Sequence, residues 1–456
     1  MLGLGFGDEG KGAVVDAVAR RRRAQLVVRF NGGPQAAHHV VAPDGAVHCF
    51  AQIGAGALAG ARTFLSRFML VEPLALAREA DVLARLVAGD PLAAVTIDRR
   101  CAVVTPFHRL LGRIEELSRG TARHGSCGLG VGPAWRDATS PHALSLRVAA
   151  LTGDPAALRR TLRQIQLVKL DRAEQLVDAA PDVPELAGLL RAIGERDLVE
   201  STAAAYEAIV RRFRADEGEL LQSVLRDSPG AVLFEGAQGA LLDADLGFFP
   251  HVTPSRVGFA QAEALVSECP HSPPPLRVGV LRAYATRHGA GPFVSEAPGL
   301  HIRLPESHNP DGPWQGPMRA GWFDLVAARY GLAVAGGADG LVVTHLDRLA
   351  GWEQIPACEA WLPQGATSPI THLEPRSGPL DARTAFTAWV AACRPVLRTF
   401  PGWRRAGDPG LADYLGWIST GLAVTISATA HGPRALDQRW PSPCAGEPAP
   451  PVAATP

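Results

Sequence analysis

Lysine is almost missing from this chain. Of its 45 basic side chains only Lys11 and Lys169 are lysine, and arginine supplies the cation everywhere else. Long apolar runs are missing as well: no stretch reaches the ~18 residues of a membrane-spanning helix. The seven cysteines contain no Cys-x-x-Cys pair and lie scattered between Cys49 and Cys444. An odd, scattered set supports neither a disulfide framework nor a thiolate metal site, so a reduced, cytoplasmic protein is expected. Net charge is zero, and the balance draws the chain neither to nucleic acid nor to a membrane surface. No charged-then-apolar leader precedes the first motif, and no internal repeat is present.

What is there begins with size. At 456 residues and 47% hydrophobic content, the chain can bury a large core, as two or three average domains or as one large α/β unit. The abundant Ala, Arg, Gly and Pro read as coding bias rather than disorder. The organising stretch is Gly5-Phe6-Gly7-Asp8-Glu9-Gly10-Lys11-Gly12. Its glycines permit positive φ and close approach to a ligand, and its N–H groups can cradle phosphate at the start of a following helix, residues 13–19. Glu9, Gly10, Lys11 and Gly12 are the expected phosphate contacts, and Asp8 is the expected Mg²⁺ ligand or base. A compact ammonium suits such a loop better than a guanidinium, which explains a lysine kept where arginine is the rule. The plainer alternative is a mobile glycine loop with a chance lysine, since the pattern is not G-x-x-x-x-G-K-[ST]. Only Leu2-Gly3-Leu4 precede the loop. That is shorter than the ~5-residue strand usual in this position, and the expected natural start lies upstream of Met1.

Farther along, residues 25–30 read as a parallel strand leading into a polar loop, and Asp44-Gly45 as a hairpin turn between residues 40–41 and 47–50. Residues 72–98 and 108–119 read as helical, and 143–226 as about four helices. Residues 231–234, 276–281 and 340–344 read as buried strands. A Pro/Ala-rich, aperiodic end from Pro441 reads as disordered.

Gly7-Asp8-Glu9-Gly10-Lys11-Gly12 followed by Val15-Asp16 resembles the opening signature of the adenylosuccinate synthetase family. That family joins IMP to aspartate using GTP. Gly32, Gly33, Ala36 and His38 match its next motif, which implies His38 as a catalytic acid and the Ala37 carbonyl as a Mg²⁺ contact. The block from Gly125 to Ala134 is similar to its loop for the nucleotide 5′-phosphate, implying that role for Ser126 and Cys127. Phe234-Glu235-Gly236-Ala237-Gln238-Gly239 matches a further signature, implying that Gln238 contacts the purine beside the reacting oxygen. Thr253 matches another nucleotide contact. Arg282 to Phe293 is also a close match. Thr344-His345-Leu346-Asp347 and Gly432-Pro433 correspond to the guanine-reading segments, with His345, Asp347 and Gly432 as contacts.

The departures are concentrated. Pro34, Gln35 and His39 replace family residues, as do Cys127 and Leu129, and His345 stands where the family has lysine. Of four arginines expected in the aspartate-gripping loop only Arg319 remains, so Trp314, Gln315 and Arg319 are the amine-loop candidates. An arginine that crosses the family's dimer interface has Arg136 as its nearest counterpart. The resemblance implies one α/β synthetase domain over residues 1–438, with a mostly parallel central sheet flanked by helices, a phosphate loop like that of P-loop proteins, and a 439–456 tail. It further implies Mg²⁺, GTP or ATP as phosphoryl donor, small-molecule substrates and a homodimer. A paralogous C–N ligase with another amine or purine nucleotide, and a nucleotide-binding protein without catalysis, are the alternatives.

Overall fold

The structure is a computed structural model describing residues 1–228, 230, 232–306 and 314–441. Short runs of aliphatic and β-branched residues form its strands, because such side chains fill a pleated surface covered on both faces. The strands that carry the argument are β1 (Leu2–Gly3), β2 (Leu26–Arg29), the hairpin β3 (His38–Val41) and β4 (Val47–Phe50), β5 (Arg62–Leu65), β6 (Val95–Asp98), β7 (Arg214–Asp216), β8 (Val232–Glu235), β9 (Val278–Arg282), β10 (Gly340–Thr344), β11 (Ile426–Ala430) and β12 (Gln438–Arg439).

Five strands pair in the order β8-β2-β5-β6-β7, all parallel. Five more pair in the order β1-β9-β10-β11-β12, parallel except for β12. The two groups meet where β1 runs beside β8. Gly3 bridges Gly239, the Met1 amine donates to the Phe234 carbonyl at 2.6 Å, and the Gly236 N–H donates to the Met1 carbonyl at 2.9 Å. Because the strands are parallel, their C-terminal loops open at one edge, which is where ligands bind in such sheets.

Helix α1 (Lys11–Arg22) starts directly from the glycine loop. Val14 packs on Val280, Val342 and Ala428 of one strand group, whereas Val15 and Ala19 pack with Val27 of the other. The helix thus ties both halves together. Helices Pro106–Ser118, Pro155–Asp178 and Pro184–Gly194 contribute to the second core. The second lysine lies among them: Lys169 Nζ donates to Asp137 at 2.6 Å, and His108 Nε2 meets the other Asp137 oxygen at 2.9 Å. Thr105 N–H donates to His108 Nδ1, so the ring proton sits on Nε2 and donates to Asp137. This buried pairing is structural.

Two expectations need correction. Residues 72–98 are not one helix: helix Pro73–Leu83 is followed by a 3-10 turn, Pro91–Ala94, and by strand β6. Gly89 takes positive φ and the Asp90 carboxylate caps Leu92 N–H at 3.0 Å, which breaks the helix and leaves Val-Thr-Ile-Asp to pair between β5 and β7. Residues 143–226 hold five helices, the shortest Val148–Leu151, together with strand β7. The Arg-Ala-Asp sequence of β7 carries no apolar signal. The remaining strand positions, the hairpin and the first helix agree with the structure, but Val232, Leu233 and Phe234 are half-buried rather than buried, and Leu276 is exposed ahead of β9. Of the expected 439–456 tail, Arg439 belongs to β12 with Gln438, and Trp440 lies under Arg21 at 5.5 Å; residues 442–456 lie outside the described residues.

Helix α2 (Leu325–Ala335) is capped by Asp324, whose carboxylate accepts from Ala327 N–H at 2.9 Å and from Trp361 Nε1 at 3.0 and 2.9 Å. Burial pushes this carboxyl up to about 6. A folded value above the unfolded one means that stability linked to its proton is fully present below 3.8 and is lost as pH rises through about 6. Asp324→Asn keeps the acceptor without the charge. Its stability relative to the parent is expected to improve by about 3 kcal/mol between pH 4 and pH 8. Urea denaturation across that range checks this, and a difference that does not vary with pH contradicts it.

Candidate active site

At the C-terminal edge of the sheet lies a cavity of about 460 Å³. Asp8, Gln238 and His345 line it from three different strand ends, and all three hold left-handed backbone, with φ of 61°, 58° and 60°. Non-glycine residues avoid that region unless their surroundings impose it, and such strain gathers at functional sites.

The glycine loop is braced from inside. Glu9 is 2% exposed and does not line the cavity. Its carboxylate accepts from Gly5 N–H at 3.1 Å, Gly7 N–H at 2.8 Å and Lys11 Nζ at 2.7 Å. The Glu9 side chain therefore shapes the loop, and only its backbone is available to an anion. Gly10, Lys11 and Gly12 do line the cavity. The Asp8 carbonyl accepts from Arg282 at 3.0 Å and the Glu9 carbonyl from the Thr344 hydroxyl at 2.7 Å. Burial raises the Asp8 carboxyl, with Lys11 and Arg282 pulling against it.

His38 enters the cavity from the start of β3 and is 6% exposed. Its Nδ1 lies 2.5 Å from Glu235 Oε1, while Glu235 Oε2 accepts from Ala55 N–H at 2.9 Å. Burial pushes the imidazole down to about 4, with the Glu235 carboxylate opposing. Burial alone would raise Glu235, but the Arg29 guanidinium and the His38 bond hold it below the usual range. The pair is thus a neutral ring donating Nδ1–H to a carboxylate. An arriving polyphosphate favours the protonated ring. Glu235 was quoted within a sequence motif but given no role there; its partner lies 197 residues away in the chain, which the sequence does not reveal.

Gln238 Oε1 and Gln35 Oε1, both on the cavity wall, are buried without a hydrogen-bond partner among the described residues. Two orphaned acceptors at a cavity are ready partners for a ligand's N–H groups. Cys127 lines the cavity, and burial keeps it a thiol. Ser126 is exposed off the cavity; Glu116 takes Gly125 N–H at 2.7 Å and Ser126 N–H at 3.4 Å. The carboxylate thus occupies loop donors expected for a phosphate. Thr253 is buried away from the cavity, its N–H on the Leu242 carbonyl.

Of the amine-loop candidates Gln315 lines the cavity, whereas Trp314 and Arg319 do not. Trp314 covers Gly128 and carries the Arg113 guanidinium 5.3 Å from its ring. Arg319 is engaged elsewhere: it binds both oxygens of Glu296 and donates to the Gly289 and Gly291 carbonyls at 3.1 and 2.9 Å. Residues 309–313 of this stretch lie outside the described residues. Arg136 pairs with Glu115 on an exposed surface. The expected guanine contacts His345, Asp347 and Gly432 all reach the cavity. Burial, with Arg282 and Arg348 nearby, keeps the His345 ring neutral, and burial raises Asp347. His345 Nδ1 sits 2.8 Å from the Thr344 hydroxyl. With that hydroxyl given to Glu9, Nδ1–H donates and Nε2 is left as an acceptor.

Among the described residues no three His, Cys, Asp or Glu side chains cluster as a metal cage. Asp8 and the Ala37 segment both line the cavity and offer oxygen donors there. One carboxylate plus carbonyl and phosphate oxygens is a donor set that Mg²⁺ accepts when it arrives with a nucleotide. Among the described residues no helix is long and apolar enough to cross a membrane.

A family model described as adenylosuccinate synthetase matches residues 1–435. An adenylosuccinate synthetase of a Synechococcus strain is 32% identical over 445 residues, covering 95% of this chain and 91% of its own. That of Brevibacillus brevis is 32% identical over 416 residues, covering 88% and 87%. Among solved structures, fully ligated adenylosuccinate synthetase from Plasmodium falciparum superposes with a TM-score of 0.78 at 22% identity, covering 97% of this chain and 99% of its own. The succinoaminodeoxyadenylate synthetase of cyanophage S-2L, bound to dGMP and dATP, reaches 0.56 at 17% identity, covering 96% and 93%. These two share the mostly parallel, helix-flanked fold. With a match running over residues 1–435, the chain belongs to the adenylosuccinate synthetase family, whose members are ligases forming C–N bonds.

Proposed function

We propose that this protein joins IMP to L-aspartate with GTP as phosphoryl donor, through 6-phosphoryl-IMP. The observation that carries the reading is the convergence of Asp8, Lys11, His38 and Gln238 on one cavity, with the imidazole backed by Glu235. Asp8 takes the N1 proton of the purine. The 6-oxygen then bonds to the γ-phosphorus as the bond to GDP breaks, with Lys11 and protonated His38 stabilising the charge that builds on the oxygens. The amine attacks C6, and inorganic phosphate leaves. Gln238 orients the purine and Asp347 accepts from guanine N–H groups. Asp8 and the Ala37 carbonyl would hold Mg²⁺, which would supply neutralisation of charge on the donor phosphates. The same reading makes the protein a cytoplasmic homodimer that takes its partners from small molecules.

The test is phosphate release by the purified chain with Mg²⁺, IMP and GTP or ATP, with and without aspartate. Release that requires aspartate, with a product absorbing like adenylosuccinate, is the expected result. Release absent with aspartate but present with another amine would replace the co-substrate, and nucleotide binding without turnover for any amine would replace catalysis itself.

A further inference from the structure

The phosphate loop is held from below by its carbonyl groups. Arg282 ends β9 and Thr344 ends β10, and the two are register partners across the sheet. They grip consecutive carbonyls of the loop, those of Asp8 and Glu9. In a trans peptide the N–H points opposite to the C=O. Pinning the carbonyls of residues 8 and 9 towards the strand ends therefore turns the N–H groups of Glu9 and Gly10 away from them. Among the described residues neither N–H has an acceptor within the protein, although Asp8 and Gly10 on either side of Glu9 line the cavity. Two adjacent N–H groups left open beside a helix start make an anion nest.

Arg282 is itself locked. It is 4% exposed, and beyond Asp8 it donates to Thr286 Oγ1 at 3.2 Å, to Tyr284 Oη at 2.5 Å and to Glu306. Tyr284 also donates to Glu306, at 2.7 Å. A planar fork held by so many partners cannot shift without breaking several bonds together.

We propose that Arg282 and Thr344 are positioning residues for phosphoryl transfer, aiming the Glu9 and Gly10 N–H groups at the donor polyphosphate and holding Asp8 in its left-handed backbone. This rests on the reading that the loop takes a nucleoside triphosphate. Neither side chain gives its loop-directed hydrogen bond to the ligand; each acts through a carbonyl.

The test uses the full chain and a nonhydrolysable GTP analogue with Mg²⁺, with IMP binding and melting temperature measured alongside. Thr344→Val, nearly isosteric, is expected to raise the Kd of the analogue about tenfold while IMP stays within about twofold of the parent; Thr344→Ser restores the affinity. Arg282→Gln is expected to lower kcat about a hundredfold, the size of effect that a misplaced reacting group produces, and Arg282→Lys recovers part of it. Analogue affinity unchanged in folded Thr344→Val and Arg282→Gln overturns the assignment. So does parallel weakening of both ligands in step with the melting temperature, which a merely structural role would give. A parent protein that binds no analogue overturns the functional reading, and the assignment with it; a parent that binds normally isolates the assignment.

Discussion

His38→Asn lowers kcat by about 10³-fold, within the range that a positioned acid or base supplies, and changes the affinities for IMP and a GTP analogue only a few-fold. The ring is on the cavity wall with one nitrogen committed to Glu235, so the other is the group that can serve a reacting oxygen. Glu235→Gln keeps an acceptor but removes the anion that favours an imidazolium, and a loss of about 10–100-fold in kcat is expected, the scale found for residues that orient and polarise a ligating or catalytic histidine. If Glu235 acts through His38, the double variant is no slower than His38→Asn alone, because effects along one chain of contacts do not add. Steady-state kinetics on the three variants decide this. Losses that multiply would show that the carboxylate has its own separate part in turnover.

Gly239→Ala is expected to cut affinity for the triphosphate analogue more than a hundredfold, because a misplacement of about 1 Å is enough for such losses. The residue has an ordinary extended backbone, φ −128° and ψ 154°, so alanine meets no conformational penalty. The obstacle is steric: a Cβ there would stand 2.2 Å from the Gly5 carbonyl, 2.5 Å from Gly7 N and 2.6 Å from Glu9 Oε1. Those atoms are backbone of the phosphate loop and the carboxylate that braces it. Gly7→Ala is the control, since φ is 95° there but nothing lies within 4 Å of an added Cβ. It should destabilise by about 1–2 kcal/mol through the backbone alone. Equal binding by parent and Gly239→Ala would mean that the loop moves freely past the β8 turn.

Much of this was legible from local pattern. The interleaved glycines announced a tight loop ahead of the first helix, and the apolar runs at 276–281 and 340–344 announced β9 and β10, because both signals are written in neighbouring residues. What stayed hidden depends on distant partners. Glu9 looks like a phosphate-loop residue in sequence, yet its carboxylate is consumed by Gly5, Gly7 and Lys11. Arg319 looks like the last of a set of carboxylate clamps, yet Glu296 claims it. Glu116 gave no signal, and it sits on the N–H groups of the Gly125 turn. Strand β7 has no apolar residue beyond alanine and exists because β6 offers a parallel edge to pair with.

The hydrogen bonds that hold the glycine loop span 274 and 335 residues of chain. During synthesis the loop leaves the ribosome before its supports, which follow about 20–70 s later at ordinary elongation rates. Throughout that interval the nascent polypeptide displays the glycine loop without the side chains that hold its carbonyls. A copy released before Thr344 is added would lack the partner of the Glu9 carbonyl, so the organisation of the loop waits on chain made long after the motif itself.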